Sequence, residues 1–326
     1  MRIAVAGSIA TDHLFTFDGR FADSLLVEQL SNVSLSFLAS DLKVRRGGTG
    51  ANIAFGMGAL GSSPLLVGAV GTDAADYLLW LQEHGVDTTH VRISTTLASA
   101  RFTCTTDQDH AQIATFFPGA MAEAGEIDIA AVGAVDMVVV APDDPGAMLR
   151  HSASCRDRGV PFAADPSQQL AYMDGEAIRG LVEGATYLFT NDYEYGLVHE
   201  KTGWTHDDVL EVVGTRITTH GPNGISVFHK GEPAREVAPA TAREVVEPTG
   251  VGDVFRAGFL CATGWGLSPE RSAQVGALVA THVVETVGTQ EYAFTPEGFL
   301  GRLDEVYGAT AAAEVAPHLA APQVVR

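Results

Sequence analysis

The sequence predicts an α/β protein: a doubly wound, mostly parallel sheet flanked by helices, with a small β-sheet packed on it as a lid. Beyond about residue 126, short apolar runs alternate with segments of helical periodicity, which is the pattern of a parallel α/β core. Four other segments alternate apolar and polar residues, as half-exposed strands do. The 326 residues are 46% hydrophobic, which is enough for one large core.

The predicted core strands are apolar runs that end in polar or glycine-rich turns. They are residues 3–6, 64–70, 136–141, 160–164, 187–190 and 216–219, and two long helices are predicted at 254–264 and 269–284. In an open α/β sheet the carboxyl ends of the strands line the ligand crevice. The turns that follow these strands are therefore the candidate sites.

The half-exposed strands predict a separate small sheet. They are residues 14–17, 33–38, 99–106 and 112–117. We expect a lid of residues 13–46 and 96–118 on a core of residues 1–12, 47–95 and 119–326, although the same strands could extend the main sheet. A two-sided lid carries an apolar face, so the pattern also predicts a homodimer in which two chains meet there.

Composition excludes several classes of partner. With 40 acidic and 20 basic side chains, the formal net charge is −20, so nucleic acid and anionic membranes are not expected to bind. The three cysteines form no C-x-x-C pair and predict neither a zinc site nor a disulfide framework. No apolar run reaches membrane-spanning length, and residues 1–8 predict a strand rather than a signal peptide. We therefore expect a soluble cytoplasmic protein.

Residues 247–253, Glu-Pro-Thr-Gly-Val-Gly-Asp, are the stretch around which we expect the site to be built. Pro248 biases the residue before it away from helix, so the apolar periodicity that follows predicts a helix starting after the turn. Gly250 and Gly252 permit backbone angles and close approaches that a Cβ would block. Amide N–H groups at a helix start suit a phosphate, and Asp253 beside them suits a base for an attacking hydroxyl. The alternative is a glycine turn with Asp253 as the helix N-cap.

Two further candidate elements lie in the first half of the chain. Asp12 follows the first predicted strand and can hold a pair of substrate hydroxyls; the alternative is a local Asx-turn. Residues 46–55 contain the second glycine cluster, which lets the backbone touch a substrate, and Asn52 can both donate and accept hydrogen bonds. The alternative for this cluster is a simple turn.

Three turns in the second half offer polar groups to a ligand. Residues 165–169 carry free amides. Residues 191–194, Asn-Asp-Tyr-Glu, suit a metal–phosphate complex, but Asn-x-x-Glu before a helix is also a capping box. Residues 218–224 resemble a phosphate-facing turn and equally a plain turn. No G-x-x-x-x-G-K-S/T run occurs, which excludes a P-loop enzyme, and the 11 histidines have no metal-ligand spacing.

The order and spacing of these motifs resemble those of a known family. Gly-Gly-Thr-Gly-Ala-Asn-Ile-Ala at 47–54, Asn-Asp-Tyr-Glu at 191–194 and Thr-Gly-Val-Gly-Asp at 249–253 resemble the ribokinase-like (phosphofructokinase-B) carbohydrate kinases, over residues 3 to about 308. Within that superfamily the chain is most similar to the adenosine kinases of actinobacteria. The segments that carry this second resemblance are 7–13, 34–38, 101–106 and 162–169.

The resemblance implies ATP-dependent phosphoryl transfer to the 5′-hydroxyl of adenosine, giving AMP and ADP, with Mg²⁺ and often a monovalent cation such as K⁺ near the anion hole. Asp253 would take the hydroxyl proton, and the N–H groups of the anion hole would come from Gly250, Val251 and Gly252. The nucleoside would be bound by Ser8, Asp12, Ser36, Gly48, Asn52, Gln168 and Gln169, and its purine would be sandwiched by Phe102 and Phe116. ATP would lie along Asn191, Thr219, His220, Gly221, Pro222, Asn223 and Gly224, and Glu194 would help to place Mg²⁺ through water.

The sequence departs from the family pattern at two positions. Val251 replaces the usual alanine of Gly-Ala-Gly-Asp, which leaves the backbone donor in place. His220 lies in the ATP-side turn where the family has other residues, a position that bears on nucleotide preference and its pH dependence. Two other functions stay open: a ribokinase- or fructokinase-type sugar kinase with the same base and anion hole, and a non-catalytic nucleoside-binding protein. Retention of Asp253 and both glycines argues against the second.

Overall fold

The computed structural model describes residues 1–24 and 35–319, and their strands form one large and one small sheet. The strands are β1 Ile3–Ala6, β2 Ala10–Thr16, β3 Asp41–Gly47, β4 Leu65–Gly71, β5 Asp87–Ser94, β6 Ala100–Thr106, β7 Gln112–Phe117, β8 Met137–Val140, β9 Phe162–Ala164, β10 Tyr187–Asn191, β11 Thr215–Thr219, β12 Ile225–His229 and β13 Arg235–Val237.

The α-helices connect these strands and cover both faces of the large sheet. They are α1 Phe21–Ser24, α2 Thr49–Ala59, α3 Ala75–Glu83, α4 Pro145–Arg158, α5 Gly175–Val182, α6 Asp192–Thr202, α7 His206–Val212, α8 Val251–Gly264, α9 Pro269–Val284, α10 Pro296–Tyr307 and α11 Ala309–Val315. Within residues 1–24 and 35–319, no helix combines the length and the apolar sequence that crossing a bilayer requires.

The large sheet has the strand order β13-β12-β11-β10-β9-β8-β1-β4-β5. All neighbours from β11 to β5 are parallel, whereas β12 and β13 add antiparallel strands at one edge. The chain leaves β1 toward β4 on one side, and β8 continues toward β9 on the other. This reversal between β1 and β8 opens a crevice at their carboxyl ends. The predicted doubly wound, mostly parallel fold is confirmed.

Two apolar layers hold helices on the two faces of this sheet. Ile3 and Val5 point to one face, where they join a core built with α2, α3, α8, α9 and α10. Ala4 and Ala6 point to the other face, which is covered by α4, α5, α6 and α7. Because both faces are buried, the central strands are continuously apolar rather than alternating.

The small sheet has the order β3-β2-β6-β7 and is separate from the large one, as predicted. The predicted strand at 33–38 is wrong where it is described: residues 35–38 form no strand, and residues 33–34 lie outside the described part. The strand instead follows at β3, where Leu42 and Val44 alternate with charged residues and pair antiparallel with β2. Phe37 packs on Phe17 rather than entering a ladder. The strands β5 and β13 were not predicted.

The crossing of α8 and α9 brings two backbones together through glycine. A Cβ on Gly258 would lie 2.7 Å from the Cα atom of Gly276, a contact that no rotamer change can relieve. Gly301 in α10 is the opposite case, because its side-chain position has no neighbouring heavy atom within 4 Å. The two positions separate the steric cost of a methyl group from the helix propensity of alanine.

We expect Gly258→Ala to lower the free energy of unfolding by about 1–3 kcal/mol, because the extra methyl group must push the two helices apart. Gly301→Ala should instead raise it by about 0.5–1 kcal/mol, through the lower backbone entropy of alanine in the unfolded chain. Urea unfolding of both variants measures the difference. Equal effects at the two positions would contradict the close crossing.

Candidate active site

The polar turns picked out from the sequence meet at one edge of the large sheet. Ser8 follows β1, Asp165 follows β9, and Asn191 and Thr219 end β10 and β11 as register partners. Because these strands are parallel, their carboxyl ends face the same way. The amino end of α8 arrives at the same edge, since side chains of its first turns contact the residues after β9 and those of α2.

The start of α8 is an anion-binding geometry. Gly250 is the N-cap residue with φ +76°, and no side chain caps the helix. The first intrahelical hydrogen bond runs from the Val254 N–H to the Gly250 carbonyl, at 3.1 Å. The N–H groups of Val251, Gly252 and Asp253 precede it and therefore have no acceptor within the helix. Free amides at the positive end of a helix dipole suit a phosphate.

Asp253 is not the helix N-cap, so that alternative is wrong. The N-cap residue is Gly250, whose left-handed backbone conformation favours glycine. A Cβ at this position would also lie 2.7 Å from Thr289 Cγ2. Asp253 is the third residue of α8, in its first turn, and its Oδ2 accepts a hydrogen bond of 2.8 Å from Asn52 Nδ2. The carboxyl group is thereby aimed across the cleft toward α2.

A buried network fixes the amide of Asn52. Its Oδ1 accepts from Gln290 Nε2 at 2.9 Å, and Thr289 Oγ1 lies 3.0 Å away. Gln290 Nε2 also donates to the Tyr77 hydroxyl at 2.6 Å, and that hydroxyl donates to the Gly47 carbonyl at 2.7 Å. Since Oδ1 is occupied by donors, the NH₂ end of Asn52 has to face Asp253. No sequence pattern points to Gln290 or Tyr77, because both act through Asn52.

The environment gives Asp253 the protonation behaviour of a base that works near neutral pH. Burial raises the pKa of this carboxyl to about 7, against the opposing effects of Arg256 and the Asn52 hydrogen bond, and Asp165 and Glu194 raise it further. Asp253 is nevertheless partly exposed, as a group at the floor of a cleft would be. A base with a pKa near the working pH can take up and release a proton efficiently.

A buried ionic cluster lies beside Asp253. Arg256 Nε lies 2.6 Å from Asp165 Oδ2, and Arg256 Nη2 donates to Ser167 Oγ at 3.0 Å. Ser167 in turn donates to Asp165 Oδ1 at 2.7 Å, and Glu194 Oε2 lies 3.9 Å from Arg256 Nη2. Burial raises the pKa of both Asp165 and Glu194, and Arg256 opposes the rise in each. The sequence analysis picked out the turn 165–169 only for the amides of Gln168 and Gln169, and it did not include Arg256, although spacing i, i+3 from Asp253 puts Arg256 near its side of α8.

Asp12 lies inside strand β2, so the Asx-turn alternative is wrong. Its carboxyl lies against Gly47, where an added Cβ would be 3.0 Å from Oδ2. Burial raises the pKa of Asp12 to about 6, and the nearby charge of Glu247 adds to the rise. Among the described residues the carboxylate has no hydrogen-bond donor, which leaves both oxygens available to a ligand.

The glycine cluster before α2 packs against the chain's own backbone. Gly48 has φ +90°, and a Cβ there would lie 2.6 Å from the Ala10 nitrogen and from the Ser8 carbonyl oxygen. Ser8 Oγ accepts from the Thr49 N–H at 3.0 Å and fastens the start of α2 to the end of β1. This packing requires glycine at position 48 and places Asn52 one turn further along α2.

The remaining nucleoside-side residues line the small sheet and the turn after β9. Phe102 and Phe116 are register partners on the face that carries Asp12. Ser36 is exposed in the irregular segment before β3. Gln168 is exposed, whereas Gln169 Nε2 donates to the Asp143 carbonyl at 2.8 Å.

The nucleotide-side residues lie at the ends of β10 and β11. Asn191 and Glu194 form a reciprocal capping box, each side chain accepting from the other's N–H at 2.8 Å, so that alternative is confirmed. His220 joins the two turns: Nδ1 is 2.7 Å from Asp192 Oδ1, and Nε2 is 2.7 Å from Ser226 Oγ. In the rest of the predicted ATP turn, Gly221, Pro222 and Asn223 are exposed, whereas Gly224 is buried.

A model of the pfkB family of carbohydrate kinases matches residues 21–296. The chain belongs to this family. The ribokinase-like resemblance inferred from the three motifs is thereby confirmed.

Individual relatives agree with the family. The nucleoside kinase of Burkholderia thailandensis, solved in complex with inosine, is 32% identical, covers 94% of this chain and 99% of its own, and superposes with a TM-score of 0.84. The nucleoside kinase of Methanocaldococcus jannaschii is 28% identical over 306 residues, or 93% of this chain and 97% of that protein. A ribokinase of Thermotoga maritima, at 22% identity and a TM-score of 0.76, shows the shared fold.

The carboxylates of the cleft are of a type that would hold a magnesium ion together with the phosphates of a nucleotide. In the part of the chain that the structure describes, no three His, Cys, Asp or Glu side chains converge as a metal cage. Mg²⁺ usually keeps several waters and binds through one or two carboxylates plus substrate phosphates. Glu194 suits that role, because Asp165, Glu194 and Asp253 together outnumber Arg256, the cation of the cluster.

We expect kcat/KM for the phosphoryl acceptor to fall as the pH is lowered through about 7, because protonated Asp253 cannot take the hydroxyl proton. A second fall near pH 6 should follow as Asp12 is protonated and loses its charge as a hydrogen-bond acceptor. Asp12→Asn should remove the lower transition and keep the upper one. Asp253→Asn should lower turnover by about 10³-fold at every pH. A wild-type profile that is flat from about pH 5 to 8 would contradict the assignment of the base.

Proposed function

We propose that this kinase transfers the γ-phosphoryl group of ATP to the 5′-hydroxyl of a purine nucleoside. Adenosine is the proposed acceptor, AMP and ADP are the products, and purine salvage in the cytoplasm is the role. The carrying observation is the position of Asp253, held by Asn52 beside the free amides of α8.

The proposed mechanism needs little covalent chemistry from the protein. Asp253 removes the proton of the 5′-hydroxyl, whose oxygen then attacks the γ-phosphorus in line with the leaving oxygen of ADP. The amides of Gly250, Val251 and Gly252 stabilise the charge that spreads over the transferred group. Alignment of the two substrates in one closed cleft supplies much of the remaining rate enhancement, because ATP would otherwise react with water.

A nucleoside acceptor is supported from two directions. Asp12 offers both carboxylate oxygens to a pair of ribose hydroxyls, and Phe102 and Phe116 offer aromatic faces on the same side of the small sheet. The relatives that match at 28 and 32% identity are nucleoside kinases, and one of them was solved with inosine. The choice of adenosine over inosine is supported by the sequence resemblance of segments 34–38 and 162–169.

ATP is the proposed donor, along Asn191 and the turn 219–224. The Burkholderia thailandensis enzyme has been solved with ADP and inosine together, which supports a shared cleft for the two substrates. Mg²⁺, placed through water by Glu194, would neutralise charge on the phosphates when bound. A monovalent cation such as K⁺ near the start of α8 is part of the proposal.

Phe102→Ala should raise KM for adenosine by about 10- to 100-fold, because a stacked base loses on the order of 1–3 kcal/mol. Phe117→Ala is the control for loss of a phenylalanine from this sheet: it removes the same side chain from the opposite face, which is the dimer contact proposed below, and it should leave KM for adenosine unchanged. KM for ATP should change little in either variant. Initial-rate kinetics on both variants give the comparison.

A panel of adenosine, inosine, other nucleosides, ribose and fructose tests the proposed acceptor. Preferred turnover of ribose or fructose, with KM insensitive to Phe102→Ala, would replace the proposal by a sugar kinase. Preferred turnover of inosine would keep the nucleoside site and overturn the choice of adenosine.

We also propose a homodimer formed through the outer face of the small sheet, the face opposite Asp12. Four large apolar residues lie there, each between 44 and 55% exposed: Leu42, Val44, Ile113 and Phe117. An apolar sheet face of this kind is normally covered by a partner.

Val44→Asp should convert the dimer to a monomer, because it puts a charge into the proposed contact. Leu79→Asp, at an equally exposed position of α3, should not change the mass. Light scattering at micromolar concentration gives the masses. A wild-type protein that is already monomeric would overturn the dimer.

A further inference from the structure

Arg256 is a buried cation at the start of α8, and an anion hole built only from backbone N–H groups does not explain why it is there. Only 6% of the residue is exposed, and its side chain runs back along α8 over Gly252. A Cβ on Gly252 would lie 2.6 Å from Arg256 Nη1, so glycine at this position makes room for the guanidinium. The positive group therefore lies beside the free amides at the start of α8.

The guanidinium is held from one side. Asp165 Oδ2 lies 2.6 Å from Nε, and Ser167 Oγ accepts from Nη2 at 3.0 Å. The Asp165 contact is an ion pair without hydrogen-bond alignment, since neither atom makes a hydrogen bond. Ser167 adopts φ +41° and donates to Asp165 Oδ1, which closes a ring of three side chains. The Phe189 ring, 5.8 Å from Cζ, lies on the guanidinium as well.

The remaining nitrogen, Nη1, lies over Gly252 in the first turn of α8. Among the described residues no acceptor bonds to it. Arginine presents donors on both sides of a planar fork, and buried donors of this kind normally have acceptors. A phosphate oxygen is the acceptor that both Nη1 and the neighbouring amide of Gly252 would share.

We propose that Arg256 is a catalytic residue whose Nη1 donates to a non-bridging oxygen of the transferred phosphoryl group. The proposal rests on the proposed function and adds a side-chain cation to the backbone anion hole. In the step, the bond from the 5′-oxygen to the γ-phosphorus forms and the bond to the ADP oxygen breaks. The hydroxyl proton passes to Asp253, and Arg256 keeps its protons. Asp165 and Ser167 are positioning residues that orient the guanidinium.

The test removes the charge without leaving a buried carboxylate unpaired. Arg256→Gln alone strands Asp165 and can fail to fold, so the decisive variant is Asp165→Asn/Arg256→Gln, which replaces both partners. We expect its kcat to fall by about 10²-fold or more, with KM for the nucleoside within about threefold of wild type. Asp165→Asn alone keeps the cation and should lose clearly less, and Arg256→Lys should fall between them.

Arg271→Gln/Glu314→Gln is the matched control. It removes another arginine–carboxylate pair, with Nε 2.8 Å from Oε2, from the first turn of α9, outside the cleft. Its melting temperature should fall at least as much as that of a variant with one exposed substitution, and its kcat should stay unchanged. A second readout is the binding of ADP with aluminium fluoride and the nucleoside, a mimic of the transferred group, which the Arg256 double variant should lose while still binding ADP.

Two results would overturn the proposal: a double variant whose kcat stays within about threefold of wild type, or one that binds the aluminium fluoride mimic as wild type does. Failure of the proposed function is distinguishable from either, because it appears in the wild-type protein. If wild type prefers a sugar to every nucleoside, the same variants are assayed with that sugar, and the role of Arg256 is decided independently of the acceptor.

Discussion

The hydrogen bond between Asn52 and Asp253 is the contact on which the site depends. It joins residues 201 positions apart, and only the order of the large sheet brings α2 and α8 to the same edge. The bond sets the direction of the carboxyl group, and the Gln290 network behind it sets the direction of the amide. A base positioned in this way costs no rearrangement at the moment of proton transfer, which is the condition for efficient general-base catalysis.

The charge balance of the cleft follows from the same packing. Asp165, Glu194 and Asp253 surround Arg256, and burial raises the pKa of each carboxyl. An excess of carboxylate is unfavourable for a bare polyphosphate, yet it favours a polyphosphate that carries a divalent cation. In the proposed function, this charge balance would favour a metal-bound nucleotide over a free one, while the amides of α8 and the guanidinium would bind the phosphoryl group that is transferred.

The sequence predicted features whose cause is local and missed those whose cause is tertiary. The turn at Gly250, the capping box at Asn191 and the alternation along β6 and β7 each depend on neighbours in the chain, and each is present. Strand β3 was misplaced because two adjacent segments alternate and only pairing with β2 selects one. Arg256 was missed for a related reason. Arg256 is held by Asp165, which lies 91 positions away in the sequence. A single arginine in a helix forms no sequence pattern that would indicate this contact.

Gly252 illustrates how one residue can satisfy two requirements that the sequence cannot separate. A glycine beside an anion hole is explained by the approach of a ligand to the backbone. The structure adds a second requirement, since any side chain at this position collides with Arg256 Nη1. The approach of a ligand is therefore not the only reason for glycine at position 252. The same reasoning applies to Gly48, where packing of α2 on the β1–β2 turn already excludes a Cβ. At both positions a Cβ is excluded by the protein's own atoms, the Arg256 side chain at Gly252 and the backbone of Ser8 and Ala10 at Gly48.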